Sequence, residues 1–598
     1  MTFFRMLPLF SRHARIRLWL LMLAMLITAM FEVVGVASIM PFIALLKNEE
    51  ALTNFSGLQH VLSWAQIQTG LSIQILAGIL TLILILSANA SALITNAFLL
   101  RFSHWQSHLI SSRLLAHYLH QPYRYFLEHN SATLSKNILS EVTRLTTGVV
   151  IPCLNLVARS LVVLCIIAFL IYMDPLLACV ASSIIGLVYG IVFFLIRRQL
   201  VDYGKAVTHV DAQRYRYTSE AFANIKDILL THTQPYFCDR FGRVSSHYAK
   251  AYTFADAFAV LPRYVFETVA FGGMVLLALY FYHSPTYSPN LISLLALYAF
   301  AGYRLLPAAQ HIYYFYVKLR YNQPSLSHIL QELSHTPQHV TQTALPGPLP
   351  LNTSLVLRDI HFAYASSEPT LKGITLTIPA SKTIGFAGFS GAGKTTLMDV
   401  LLGLLDPSRG QMEVDGTIIS LENVAGWQAN IGYVPQHIHI IDDTIAKNVA
   451  FGVAAEKIDI KRVLIALERA QLSSWVQTLP ERENTMTGDR GIRLSGGQRQ
   501  RLGIARALYR EPTVLVFDEA TSALDSITEN EVMQAIASMA GSLTILLIAH
   551  RLTTLRICET IHVMDQGVIV ASGSYDALEK NSDIFRRFTQ QYMHSSVV

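Results

Sequence analysis

Six apolar runs occupy the first 320 residues: about Leu18–Leu46, Ile73–Leu100, Val149–Met173, Pro175–Ile196, Ala257–Tyr282 and Leu291–Tyr316. Each is long enough to cross a bilayer, which takes about 20 helical residues. A soluble core does not use six such runs in so short a stretch. Charged residues are 14% of the 598 and hydrophobic residues 52%. An ordinary soluble protein carries about 25% charged residues, so a soluble globule and a disordered chain both fit these figures poorly. The first run is too long for a signal-peptide core and no small-residue cleavage site follows it, so it is predicted to stay as a helix.

Basic residues set the expected orientation. Arg5, Arg12, Arg15 and Arg17 precede the first run. The connection between runs two and three carries Arg101, Arg113, Arg124, Lys136 and Arg144, and the one between runs four and five carries nine Lys and Arg residues from Arg197 to Lys250. The other three connections hold only Lys47. Both termini are therefore expected in the cytoplasm. The two basic connections are long, polar and helix-compatible, so the membrane helices are expected to continue into the cytosol. The net charge of +6 is small for this length and does not indicate nucleic acid. The five cysteines are scattered and odd in number, with no CxxC or HExxH, which argues against a disulfide framework and a zinc site.

These features divide the chain into a membrane domain over residues 1–320, a linker over 321–350 marked by five prolines, and a second domain over 351–598. In the last, β-rich runs such as Ser354–Leu357, Thr383–Ala387 and Thr513–Phe517 alternate with helix-like runs such as Lys394–Leu405 and Gln498–Tyr509. That alternation predicts an α/β domain with parallel strands. The expected fold class is thus a membrane α-helical bundle followed by an α/β P-loop domain.

The strongest chemical signal is the run Gly388, Phe389, Ser390, Gly391, Ala392, Gly393, Lys394 and Thr395, followed by Thr396. It matches GxxxxGK[ST] directly after an apolar strand and before a helix. Its glycines let the backbone wrap a phosphate, and the helix N-terminus faces the anion. Lys394 is expected on the β and γ phosphates and the Thr395 hydroxyl on Mg²⁺. Downstream, the apolar strand Thr513–Phe517 ends in Asp518 and Glu519. Asp518 suits the Mg²⁺ shell, and Glu519 is placed to polarise an attacking water. Between these signals, Leu494, Ser495, Gly496, Gly497 and Gln498 open a helix and offer a second anion-binding terminus.

A phosphate loop, then LSGGQ, then an acid pair closely resembles the ATP-binding cassette (ABC) transporters of the exporter type, as a half-transporter with one membrane domain and one cassette. The resemblance implies further roles. Tyr364 stands where the family stacks a ring on adenine. Gln436 resembles the loop glutamine that touches Mg²⁺ and couples to the membrane domain. Gly488–Gly491 is similar to a loop that contacts the intracellular helices, and Ser522–Asp525 to one that crosses a dimer interface. His550 matches the switch histidine on the γ-phosphate. It further implies that two cassettes sandwich two ATP molecules, so that this chain forms a dimer, with a homodimer the economical reading. The contacts to the cassettes are expected from Phe126–Thr133 and Glu220–Leu230.

Glu32, Arg159, Glu267 and Arg304 fall at one depth, roughly 20–23 Å from the outer ends of their runs at about 1.5 Å per residue. Charges there are costly and belong in the bundle interior. They form either a structural salt-bridge network or, with Arg263, a cationic surface for a phosphate head group built from Arg159, Arg263 and Arg304. Met40–Ile43, Leu261–Glu267, Tyr303–Pro307 and the connection Lys47–Ser72 resemble the bacterial flippases for lipid-linked oligosaccharides. That resemblance implies a polyprenyl-pyrophosphate-linked glycan as cargo and the cytoplasmic membrane of a bacterium as location. The alternatives are an exporter of another amphiphile, such as a lipid A-type lipid, drug or peptide, and a nucleotide-regulated channel or regulatory subunit. An ATPase acting on DNA is excluded by the six runs.

Overall fold

A spanning helix must bury its few polar groups against other helices, and this requirement shapes the N-terminal unit. The computed structural model describes residues 2–47, 71–173, 210–283, 291–334, 347–364, 368–488, 491–519, 526–548 and 551–595, with scattered positions between them. Two compact units divide the chain: Met1–Gln121 with Phe126–Gln338, and Pro122–Tyr125 with His339–Val598.

In the N-terminal unit, α1 (Arg12–Ala37) starts at an N-cap where the Ser11 hydroxyl accepts from Ala14 N at 3.3 Å. A turn at Ser38, itself in helical backbone, leads into α2 (Ile39–Lys47), and together they form one span-length helix over Arg12–Ile43. Helix α3 (Ile73–Leu119) lies against α1, where Thr28 bonds to Ser91 at 2.9 Å and to Thr95 at 2.7 Å. Such hydroxyl pairs satisfy polar groups between membrane helices. A continuous helix from Ser131 ends in α4 (Ile151–Met173) and contains two π-helical turns, Asn137–Glu141 and Thr146–Val150. Then come α5 (Gln234–His283) and α6 (Leu291–Ser334). Among the described residues, three helices are long and apolar enough to cross a membrane: Arg12–Ile43, Ile73–Leu119 and Ser131–Met173. Most of the fourth apolar run lies outside the described residues. Helix α3 has 47 residues. At 1.5 Å per residue that is about 70 Å, roughly 40 Å more than the hydrocarbon layer.

Helix α6 runs through Pro324 to Ser334, where the prolines suggested a linker from residue 321. Burial decides this stretch. Tyr321, Ser325, Leu326 and Ile329 are all buried, and Ser325 donates to Glu141 Oε2 at 2.9 Å. Tertiary contacts override the proline penalty.

The C-terminal unit holds two sheets. Strands β1 (Ser354–Phe362), β2 (Leu371–Pro379), β4 (Arg409–Val414) and β5 (Thr417–Ile418) form an antiparallel sheet in the order β2-β1-β4-β5. The β-rich run Ser354–Leu357 marked the start of β1, but the antiparallel sheet was not foreseen; a bulge between Leu357 and Ile360, with Asp359 at φ 51°, interrupts the alternation. The second sheet has the order β10-β9-β3-β8-β7-β6. Here β3 (Thr383–Ala387), β6 (Ile431–Val434), β7 (Val514–Asp518), β8 (Thr544–Ile548) and β9 (Thr560–Asp565) run parallel, as expected, and β10 (Val568–Gly573) is an antiparallel edge. Residues of β3 and β8 are wholly buried, as a central parallel sheet requires. The carboxyl ends of β3 and β7 open onto the nucleotide loop and the acid pair.

Candidate nucleotide site

Strand β3 ends at Ala387 and the chain turns at once into α7 (Lys394–Leu401). The turn demands glycine. Gly388 has φ 147°, and a Cβ there would lie 2.2 Å from the Met564 carbonyl oxygen. Gly393, the N-cap of α7, has φ 95°. Both conformations are ones side chains rarely adopt. Lys394 is 5% exposed, and its ammonium donates to Gly388 O at 2.8 Å and Phe389 O at 3.0 Å. Burial holds its pKa below the usual lysine range, opposed by Glu519 and Asp518. A cation in this setting gains from any further anion.

A cavity of about 190 Å³ lies over this turn, lined by Ser390, Gly391, Gly393, Lys394, Thr395, Thr396, Thr370 and Glu519. It brings together the loop and the acid expected to act on water. Thr370, just before β2, was not foreseen, because nothing marks it locally. Glu519 has φ 48°, a strained backbone for a non-glycine residue. Its Oε2 accepts from Gln436 Nε2 at 2.7 Å, which uses the donor side of the amide and leaves the oxygen as the atom for a Mg²⁺ role. Asp518 accepts from the Tyr433 hydroxyl at 3.4 Å. Asp399 on α7 is nearly buried, and burial followed by repulsion from Asp518 pushes its pKa up to about 6. Neither Asp399 nor Tyr433 was singled out from the sequence; an acid five residues after the loop lysine was the available signal.

Among the described residues, no group of three or more His, Cys, Asp or Glu forms a metal centre. The donors here are a hydroxyl, an amide oxygen and one carboxylate. That hard-oxygen set fits Mg²⁺, which keeps water and phosphate ligands. Ala392 is buried inside the loop. The Tyr364 hydroxyl bonds to Thr396 Oγ1 at 3.1 Å and its ring meets Phe362 edge-on at 5.0 Å, so its ring is fixed beside the loop.

Ser495 caps α8 (Gly496–Leu508) through a capping box. Its hydroxyl accepts from Gln498 N at 3.2 Å, and Gln498 Oε1 accepts from Ser495 N at 2.8 Å. The Gln498 side chain therefore serves the helix start. Gly497 is buried. Among the described residues, Ser495, Gly496, Gly497 and Gln498 do not line the cavity over the loop. His550, Ser522–Asp525, Asp489 and Arg490 lie outside the described residues.

In the N-terminal unit, Arg159 Nη1 lies 4.0 Å from Glu32 Oε1, with Glu32 6% exposed. This is the interhelical ion pair, formed between α1 and α4. The side chains of Arg263 and Arg304 lie outside the described residues.

Residues 371–522 match the family model described as ABC transporter, and residues 18–300 the one described as ABC transporter transmembrane region. The chain is 30% identical over 473 residues to the heterocyst differentiation ATP-binding protein HepA of Nostoc sp., which is 78% of this chain and 76% of that protein. It is 40% identical over 229 residues to the ATP-dependent lipid A-core flippase of Saccharophagus degradans, covering 38% of this chain and 39% of that protein. The structure of a bacterial Atm1-family ABC exporter with ATP bound overlays 96% of this chain and 98% of that chain, with a TM-score of 0.77 at 22% identity.

Proposed function

Because this chain belongs to the ABC transporters, as a half-transporter of the exporter type that couples ATP hydrolysis to transport, we propose that it flips a lipid-linked oligosaccharide across a bacterial cytoplasmic membrane. The observation that carries the energy-coupling half is the single cavity shared by the Gly388–Thr395 loop and Glu519. In this reading the loop N–H groups and Lys394 bind the phosphates, and the Tyr364 ring supports the adenine. Thr395, Gln436 and Asp518 would hold Mg²⁺, which supplies neutralisation of phosphate charge when bound. Glu519, steadied by Gln436, takes the proton of the attacking water. By the family resemblance, His550 would act as the switch on the γ-phosphate.

The Ser495–Gln498 helix start does not line the cavity of its own chain, which supports a homodimer in which it closes on the partner's loop. The basic connections support a cytoplasmic side for both termini and the cassette. The cargo assignment is supported by the membrane-domain resemblance given above. Arg263 and Arg304 remain the candidates for the pyrophosphate, with Arg159 engaged by Glu32. A second reading, a lipid A-type lipid, is favoured by the identity to lipid A-core flippases, although the chain spans only about 39% of those proteins. The test is ATP-dependent translocation in proteoliposomes of a fluorescent polyprenyl-pyrophosphate oligosaccharide against a fluorescent lipid A. Transport of the glycolipid alone supports the first reading; transport of lipid A alone replaces it with the second.

A further inference from the structure

A cavity of about 510 Å³ opens within the N-terminal unit. Its volume lies in the range of ligand sites. Three distant segments build it: the π-helical stretch over residues 139–148, residues 211–256, and α6 over residues 314–322. Leu139 and Ser140 come from one π-turn, Thr147 and Gly148 from the other. Such turns are frequent at functional sites.

One wall is aromatic. The Tyr248 and Tyr252 rings lie 4.7 Å apart, and Tyr252 meets Tyr321 at 5.7 Å with their planes at 73°. Cations end the row: Arg214 lies 4.1 Å from the Tyr248 ring centre and Arg144 5.7 Å from that of Tyr321. The polar wall is held in place. Arg144 Nε donates to Asn322 Oδ1 at 2.8 Å, and Asn322 Nδ2 donates to Lys318 O at 2.8 Å. A Cβ at Gly148 would fall 2.4 Å from the Asn322 side chain, so glycine is what admits this amide.

Tyr321 is 3% exposed and helps to line the cavity. Among the described residues its hydroxyl has no hydrogen-bond partner, but that oxygen is itself buried, so what Tyr321 offers a ligand is its ring.

The chemistry selects the ligand class. Among the lining residues, Asp211 and Asp256 offset Arg144 and Lys318, so the charges cancel. A phosphate site carries a net positive charge. Here acceptors and donors stand together beside aromatic rings. That set fits a ring bearing many hydroxyls, which both donate and accept, with an apolar C–H face to lay on tyrosine.

We propose that this cavity is a saccharide-binding subsite that receives the glycan part of the transported amphiphile. The assignment rests on the glycolipid reading, and its test uses free sugars, without lipid or transport. Full-length protein in nanodiscs would be titrated with maltotriose, chitotriose and globotriose and read by saturation-transfer NMR. The expected result is saturable binding of at least one, weakened tenfold or more by Tyr252→Leu and less than threefold by Tyr252→Phe, which keeps the ring. Asp256→Asn, at an exposed carboxylate, should weaken it about fivefold and covers the case that the leucine variant does not fold. Absence of saturable binding by all three sugars overturns the proposal. So does equal loss in the two Tyr252 variants, or full displacement of the sugar by inorganic pyrophosphate. Sugar binding without ATPase stimulation by a glycolipid would refute the cargo reading and leave the subsite standing.

Discussion

Replacing Glu519 by glutamine isolates its chemistry from its structural role. Glu519 Oε2 accepts from Gln436 Nε2 at 2.7 Å, and its backbone N–H donates to Ile548 O at 3.3 Å. A glutamine has the same length, and its amide oxygen accepts the same hydrogen bond. The backbone bond does not depend on the side chain. The turn after β7, which already holds φ 48°, should therefore persist. What disappears is the proton acceptor. Loss of a positioned general base costs about 10²–10⁴-fold, equal to about 3–5.5 kcal/mol of barrier. Removing a negative charge near the phosphates does not weaken ATP binding. The assay is phosphate release in nanodiscs, with a fluorescent ATP analogue to follow binding. Turnover should fall at least a hundredfold with affinity unchanged. A loss under tenfold, or a parallel loss of binding, would refute the reasoning.

Gly388→Ala forces a Cβ against the Met564 carbonyl and should weaken ATP binding about a hundredfold, or about 2.7 kcal/mol; near-normal affinity by the same fluorescent titration would contradict the loop geometry. Glu141 is 1% exposed, 3.1 Å from Lys136 Nζ, and accepts from Ser325. Glu141→Gln leaves the buried Lys136 ammonium without its counter-charge and should cost up to about 3–5 kcal/mol, read as a lower melting temperature of the full chain. Arg506 donates to Asn448 O, Asn448 Oδ1 and His439 O at 2.8–3.0 Å. Lysine lacks that planar fork, so Arg506→Lys should cost about 2–3 kcal/mol, read as a lower melting temperature of the full chain.

The nucleotide loop was legible because wrapping an anion fixes glycines at set places: Gly388 and Gly393 admit no other residue. Central strands such as β3 were legible because a doubly covered strand is an unbroken apolar run. Legibility failed where distant contacts decide. The bulge at Asp359 hides the alternation of β1, burial beside Glu141 carries α6 past Pro324, and Thr370 reaches the nucleotide cavity from another sheet. The tyrosine-lined cavity joins residues 139–148, 211–256 and 314–322, so no local motif announces it. The shared depth of Glu32 and Arg159 was legible, but which acid meets which arginine was not, because that contact joins two helices far apart in sequence.

The central claim is that ATP hydrolysis at the Gly388–Glu519 cavity is coupled to a lipid-linked glycan. The most direct measurement is the ATPase rate of the purified protein in nanodiscs, with and without a polyprenyl-pyrophosphate oligosaccharide, with Glu519→Gln as the blank. The account predicts saturable stimulation by that lipid, absent with lipid A or drugs and absent in the blank. High basal hydrolysis that the glycolipid leaves unchanged, or stimulation by lipid A in its place, would contradict it.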